Sequence, residues 1–153
     1  MHRPLALILA FAAGACGGNR ARTFAQNGVV VSNVVAPAPA GVTMSVYFTV
    51  TNRSAAADTL SAIETPIAKV AALHMQMDHG GMEMMTPVGV LPVLKDSTVR
   101  IAPGGMHVML EQLRRVPVAG DSVPLTLTFR RAGKIAIVAR VVAYDKLEAE
   151  LRR

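Results

Sequence analysis

The sequence predicts an all-β fold, a sandwich or barrel of short strands, and three observations carry that reading. Nine β-type runs follow one another at a spacing of about ten residues, each closed by turn residues, where βαβ units would interpose helical patterns. Apolar residues make up 52% of the 153, enough to fill one core, but aromatics are only 4%, so that core must be mostly Val, Leu, Ile and Ala. Alternation is clearest in Val123-Pro124-Leu125-Thr126-Leu127-Thr128-Phe129, where Val, Leu, Leu and Phe share one face and Pro124 and the threonines the other.

Taken in order, the chain opens with a targeting signal. His2-Arg3 give a short positive start, residues 4–13 an apolar stretch, and Ala13-Gly14-Ala15 the small residues that precede Cys16. Residues 1–15 are thus expected to be a secretory signal, too short to span a membrane. Cys16 directly after the small residues resembles the bacterial lipoprotein signal, in which the thiol is lipidated and becomes the mature N-terminus; ordinary cleavage with a spare cysteine is the alternative. Either way the folded part lies outside the cytoplasm and holds no disulfide, because Cys16 is the only cysteine.

Residues 16–27 are polar, glycine-bearing and aperiodic, which reads as a flexible tether, and the domain is expected over 28–143. Its β-type runs are 29–35, 43–52, 59–64, 69–75, 82–88, 97–101, 107–113, 123–130 and 134–144. The segment 35–41 is a loop or an edge, since Pro37 and Pro39 have no N–H for a ladder. Residues 78–81 read as a loop, and Arg131-Ala132-Gly133 as a hairpin turn. The tail, 144–153, turns helical in composition, with Leu147 and Leu151 four apart and Glu148 four before Arg152. An isolated helix of that length is marginal in water, so a frayed turn or disorder is expected.

The net charge of +6 would suit nucleic acid, but the arginines are scattered singly or in pairs and form no basic run. No nucleic acid partner is expected; the charge reads as a solvated surface with some attraction to an anionic membrane.

Chemistry concentrates in residues 74–109, which hold three of the four histidines and seven of the nine methionines. Imidazole with thioether suits a soft or borderline metal, Cu(I) above all. His107 and Met109 lie two apart in a β-type run and so leave the same face, while Pro103-Gly104-Gly105 before them is a turn that sets the pair at a strand end. His74 ends an apolar run just before the 78–81 loop, so two strand ends meeting at one rim would unite His74, His107 and Met109, with a methionine from 82–85 as the fourth donor.

Here a resemblance becomes specific. In the PCuAC family of periplasmic copper chaperones the metal motif is a His, ten residues, a Met, twenty-one residues, then His-x-Met, and His74, Met85, His107 and Met109 meet that spacing at every position. Similar flanks run from Ser45-Val46-Tyr47-Phe48 through Asp58-Thr59-Leu60 and Gly81-Met82-Glu83-Met84-Met85 to Gly120-Asp121, nearly the whole domain. The resemblance implies a cupredoxin-like, Greek-key β-sandwich and a chaperone that binds Cu(I) through His74, Met85, His107 and Met109. It also implies delivery to an extracytoplasmic copper protein, such as a cytochrome oxidase subunit or another copper chaperone.

The remaining donors are weighed separately. Alternation sets Met82 and Met84 opposite to Met85, so they pack or line the loop, or join Met75, Met77 and His79 in a second, weaker site. Met44 reads as core filler and Met106 as packing beside the site. Asp78 and Glu83 look like solvated charges that could help hold a harder Cu(II) at that secondary site. Thioethers suit the oxidising compartment, since they neither pair into disulfides nor need deprotonation. A blue-copper carrier would need a thiolate, and structural zinc disfavours Met. No nucleophile and base pair or paired carboxylates suggest an enzyme. The competing functions are periplasmic copper storage or resistance, and a metal-free binding module of the envelope.

Overall fold

The computed structural model describes residues 22–152; the expected signal segment 1–15, Cys16 and the first tether residues lie outside the described residues. Eleven strands follow: β1 Phe24–Gln26, β2 Val29–Pro37, β3 Thr43–Asn52, β4 Asp58–Glu64, β5 Ala68–His79, β6 Met82–Val88, β7 Leu91–Val93, β8 Thr98–Ile101, β9 Met106–Leu113, β10 Ser122–Phe129 and β11 Gly133–Val142. A 3-10 turn, Tyr144–Lys146, leads into a short helix, α1 Leu147–Leu151. No helix among the described residues is long and apolar enough to cross a membrane.

The hydrogen-bonded order is β6-β5-β9-β3-β2-β11-β10-β4-β7, with β1 added on β2 and β8 on β3. β3 belongs to two layers: Thr43–Val46 pairs with β9, whereas Phe48–Thr51 pairs with β8. One long strand thereby splits the ladder, and the inward faces of the two layers meet over one core. Met44, Val46, Leu73, Val108 and Leu110 from one layer pack with Val29, Phe48, Leu127, Phe129 and Ile137 from the other. At roughly 25 cal/mol per Å² of apolar surface removed from water, this shared aliphatic core is the main force holding the layers together.

Two boundaries differ from the sequence reading. The sheet begins at Phe24 and not near Gly28, because Asn27 and Gly28 both take positive φ, 47° and 84°, and close a two-residue hairpin that pairs β1 with β2. Residues 24–26 therefore belong to the sheet and not to the tether. The tail is ordered as well: Leu147 is buried against Val35 and Tyr47, with Leu151 beside them. Packing supplies what a five-residue helix lacks on its own.

The turn between β10 and β11 ties several strand ends together. Asp58, at the start of β4, accepts the Arg131 N–H at 2.9 Å and the Ala132 N–H at 2.8 Å. The carbonyl of Ala132 accepts from the side chains of Gln26 and Asn27 at 2.6 and 3.2 Å, so the first hairpin docks on the turn between β10 and β11.

Candidate metal centre

In the layer formed by β6, β5, β9 and the first half of β3, the pairing register decides which side chains face the core. Leu73, Val108 and Leu110 are buried there. His74, His107 and Met109, each offset by one residue, take the outer face. His74 stands directly opposite His107, and Met109 opposite Ala72 on β5 and Ser45 on β3. On β6, Met85 pairs with Gln76, two residues along from His74, and so joins the outer face. The four residues share one face across three neighbouring strands, with the two methionines at diagonal positions on either side of the histidine pair.

The expected meeting of two strand ends is half right. His107 is the second residue of β9, just after the Pro103-Gly104-Gly105 turn, as expected. His74, in contrast, sits inside a twelve-residue strand that continues to His79. The stretch read as a loop at 78–81 is a two-residue turn: Gly80 and Gly81 have φ of 63° and 88°, and His79 pairs with Met82. Glycine alone takes both conformations without strain, so β5 runs straight into β6.

The two imidazole rings lie 6.0 Å apart between centroids, at 22° to one another. His107 is only 3% exposed. Its Nδ1 is 3.2 Å from the Gly105 carbonyl oxygen. A carbonyl can only accept, so Nδ1 carries the proton and Nε2 keeps its lone pair. The same carbonyl accepts the Gln76 N–H at 3.1 Å, which holds β5 and the ring to one point. Nε2 of His107 and Nδ1 of His74 are both buried without a hydrogen-bond partner. Each orphan costs about 1–3 kcal/mol. A ring held by a carbonyl at one nitrogen and bare at the other is how proteins orient a metal-binding histidine.

The flanking thioethers grade outward. Met109 is half-buried between β5 and β3, whereas Met85, on the end strand, is 52% exposed. Among the described residues no group of three or more His, Cys, Asp and Glu side chains converges. Two imidazoles flanked by thioethers favour a soft ion.

The other candidates part from this face. Met75, Met77, Met82 and Met84 take the reverse side of the β5–β6 hairpin, Met77 opposite Met84 and Met75 opposite Met106. The side chain of His79 lies outside the described residues. Asp78 and Glu83 are paired across the hairpin on the outer face, both exposed, and Asp78 Oδ1 accepts the Gly81 N–H at 2.8 Å. Sequence reasoning missed Gln76 and Gly105 as the residues that hold the ring; the glycine pair before His107 was their only signal.

The fold has counterparts. A family model described as "Putative lipoprotein LpqE-like" matches residues 29–141. The fold is similar to a copper-bound PCuAC domain from PmoF2, at 22% identity and a TM-score of 0.69, over 80% of this chain and 98% of that one. It is also similar to the solution structure of CuI-DR1885 from Deinococcus radiodurans, at 28% identity and a TM-score of 0.60, over 72% of this chain and 76% of that one. The apo form of that protein matches at 29% identity and a TM-score of 0.54, over 94% and 93%. No curated protein sequence matches. The fold is thus the cupredoxin-like β-sandwich of these PCuAC domains.

Proposed function

The chain belongs to the LpqE-like family and has the PCuAC fold, and on that premise we propose that it is a copper chaperone holding Cu(I) between His74, Met85, His107 and Met109. The observation that carries the reading is the pair of buried, unpartnered imidazole nitrogens on a face flanked by two thioethers. Copper is the cargo, and a family of copper-binding domains argues for a carrier and not an enzyme. Two neutral imidazoles and two neutral thioethers leave bound Cu(I) a monocation, with no proton released or taken up at the sulfurs.

The depth gradient suggests how the ion leaves. His107, buried and tied to Gly105, is the anchor, and Met85, open to solvent on an end strand, is the arm that an acceptor displaces first. The acceptor would be an extracytoplasmic copper protein, such as a cytochrome oxidase subunit or another copper chaperone, reached while a lipid on Cys16 tethers the domain to the envelope. An anaerobic Cu(I) titration against a chromophoric chelator tests the reading. One tight equivalent that His107→Ala abolishes supports it; unchanged binding in both His107→Ala and Met109→Ala overturns it.

A further inference from the structure

The register leaves a second methionine face. On the reverse side of the β5–β6 hairpin, Met77 and Met84 oppose each other directly, Met75 lies two residues along β5 and Met82 two residues along β6. Next to Met75, across β9, is Met106, which packs against the edge of the core. Past that edge the face runs out from the domain, and Met77, Met84 and Met82 are 44%, 52% and 71% exposed.

Packing alone does not account for these residues. A strand that needs only to pair is served by Thr or Val, whose branching suits the pleat; an unbranched side chain loses more freedom when ordered. Thioethers differ from other apolar groups in donating to soft metal ions. Opposed residues of an antiparallel pair hold their Cβ atoms about 5 Å apart, with diagonal neighbours about 7 Å away, within the reach of flexible methionine side chains.

We propose that this reverse face binds a second Cu(I) through the thioethers of Met77 and Met84, with Met75 as the third donor, Met82 standing at the tip where an incoming ion first meets the face. The donors proposed are thioethers alone, so the site holds copper less tightly than the outer face and suits loading or reserve capacity. The identity of the ion rests on the chaperone reading above; the grouping of the thioethers rests on the register alone.

The experiment is an anaerobic Cu(I) titration of the whole domain, with chelators of graded strength and with the methionine methyl groups followed by NMR. Wild type is expected to take two equivalents, one tight and one weak, the second shifting the methyls of Met75, Met77 and Met84. Met77→Leu with Met84→Leu, which keeps the apolar volume and hence the fold, should lose the weak equivalent and keep the tight one. His74→Ala with His107→Ala should do the reverse. A wild type that binds one equivalent, unchanged in the double leucine variant, overturns the second site and leaves the chaperone reading standing. Loss of the tight equivalent in the leucine variant, with the alanine variant unaffected, overturns the chaperone site instead. A second equivalent that shifts none of these three methyls also overturns the proposal.

Discussion

At the scale of single residues, the outer face depends on how two imidazoles are held. The Gly105 carbonyl fixes the ring of His107, a residue only 3% exposed, and leaves its buried Nε2 without a hydrogen-bond partner. Loss of an orienting contact alone costs about 10- to 100-fold in metal affinity, so His107→Ala should weaken Cu(I) binding by at least about 100-fold. Met85→Ala should cost less affinity but speed transfer to a chelator, because the exposed arm is gone; a stopped-flow transfer assay reads the difference. Asp58 gives a separate prediction. Burial pushes its carboxyl up, but the N–H groups of Arg131, Thr59 and Ala132 outweigh that and hold it below the ordinary value of 3.8. A carboxyl depressed in the folded state stabilises the fold above its unfolded value and ceases to do so as pH falls through the folded one. Denaturation midpoints should therefore drop below about pH 4 in the wild type. Asp58→Asn should flatten that drop and cost about 1–3 kcal/mol at neutral pH, since an amide cannot accept three N–H groups as a carboxylate does.

At the scale of elements, the β5–β6 hairpin decides which methionines meet the histidines. Met84 and Met85 are the same side chain one residue apart, yet the register sets Met85 across from Gln76 on the outer face and Met84 across from Met77 on the reverse. Met84→Leu should leave the tight copper equivalent intact and Met85→Leu should weaken it. The turn sustains that difference. Gly81 has φ of 88° with no atom within 4 Å of the position a Cβ would take, so Gly81→Val brings strain without a clash, about 1–2 kcal/mol. The hairpin should fray and copper affinity fall, with amide exchange rising first in β6. The sharing of a face by His107 and Met109 was legible from spacing, because a strand repeats every two residues. The extent of β5 was not, because Asp78-His79-Gly80-Gly81 has the composition of a loop and only the two positive φ angles reveal a continuous hairpin. For the same reason Asn27-Gly28 passed for tether when it was a turn.

At the scale of the whole molecule, β3 is shared between two layers, and His74 and His107 lie on the outer face of one of them. The aliphatic composition and the spacing of runs made the sandwich legible. The ordered tail was not, since five residues with two leucines look marginal until Val35 and Tyr47 are in contact. That tail packs on β2, with Arg140 of β11 paired to Glu150, whereas the histidines lie on β5 and β9. Stability and copper binding should accordingly separate. Leu147→Ala removes a buried side chain and should cost about 2–5 kcal/mol in a denaturant titration. The four outer-face residues lie on β5, β6 and β9 and the cluster around Leu147 on β2, β3 and α1, so the variant's Cu(I) affinity below the unfolding transition should stay within about twofold of wild type. A parallel loss of affinity would mean that the two layers do not act as separate supports, and that the face depends on the packing of the whole sandwich.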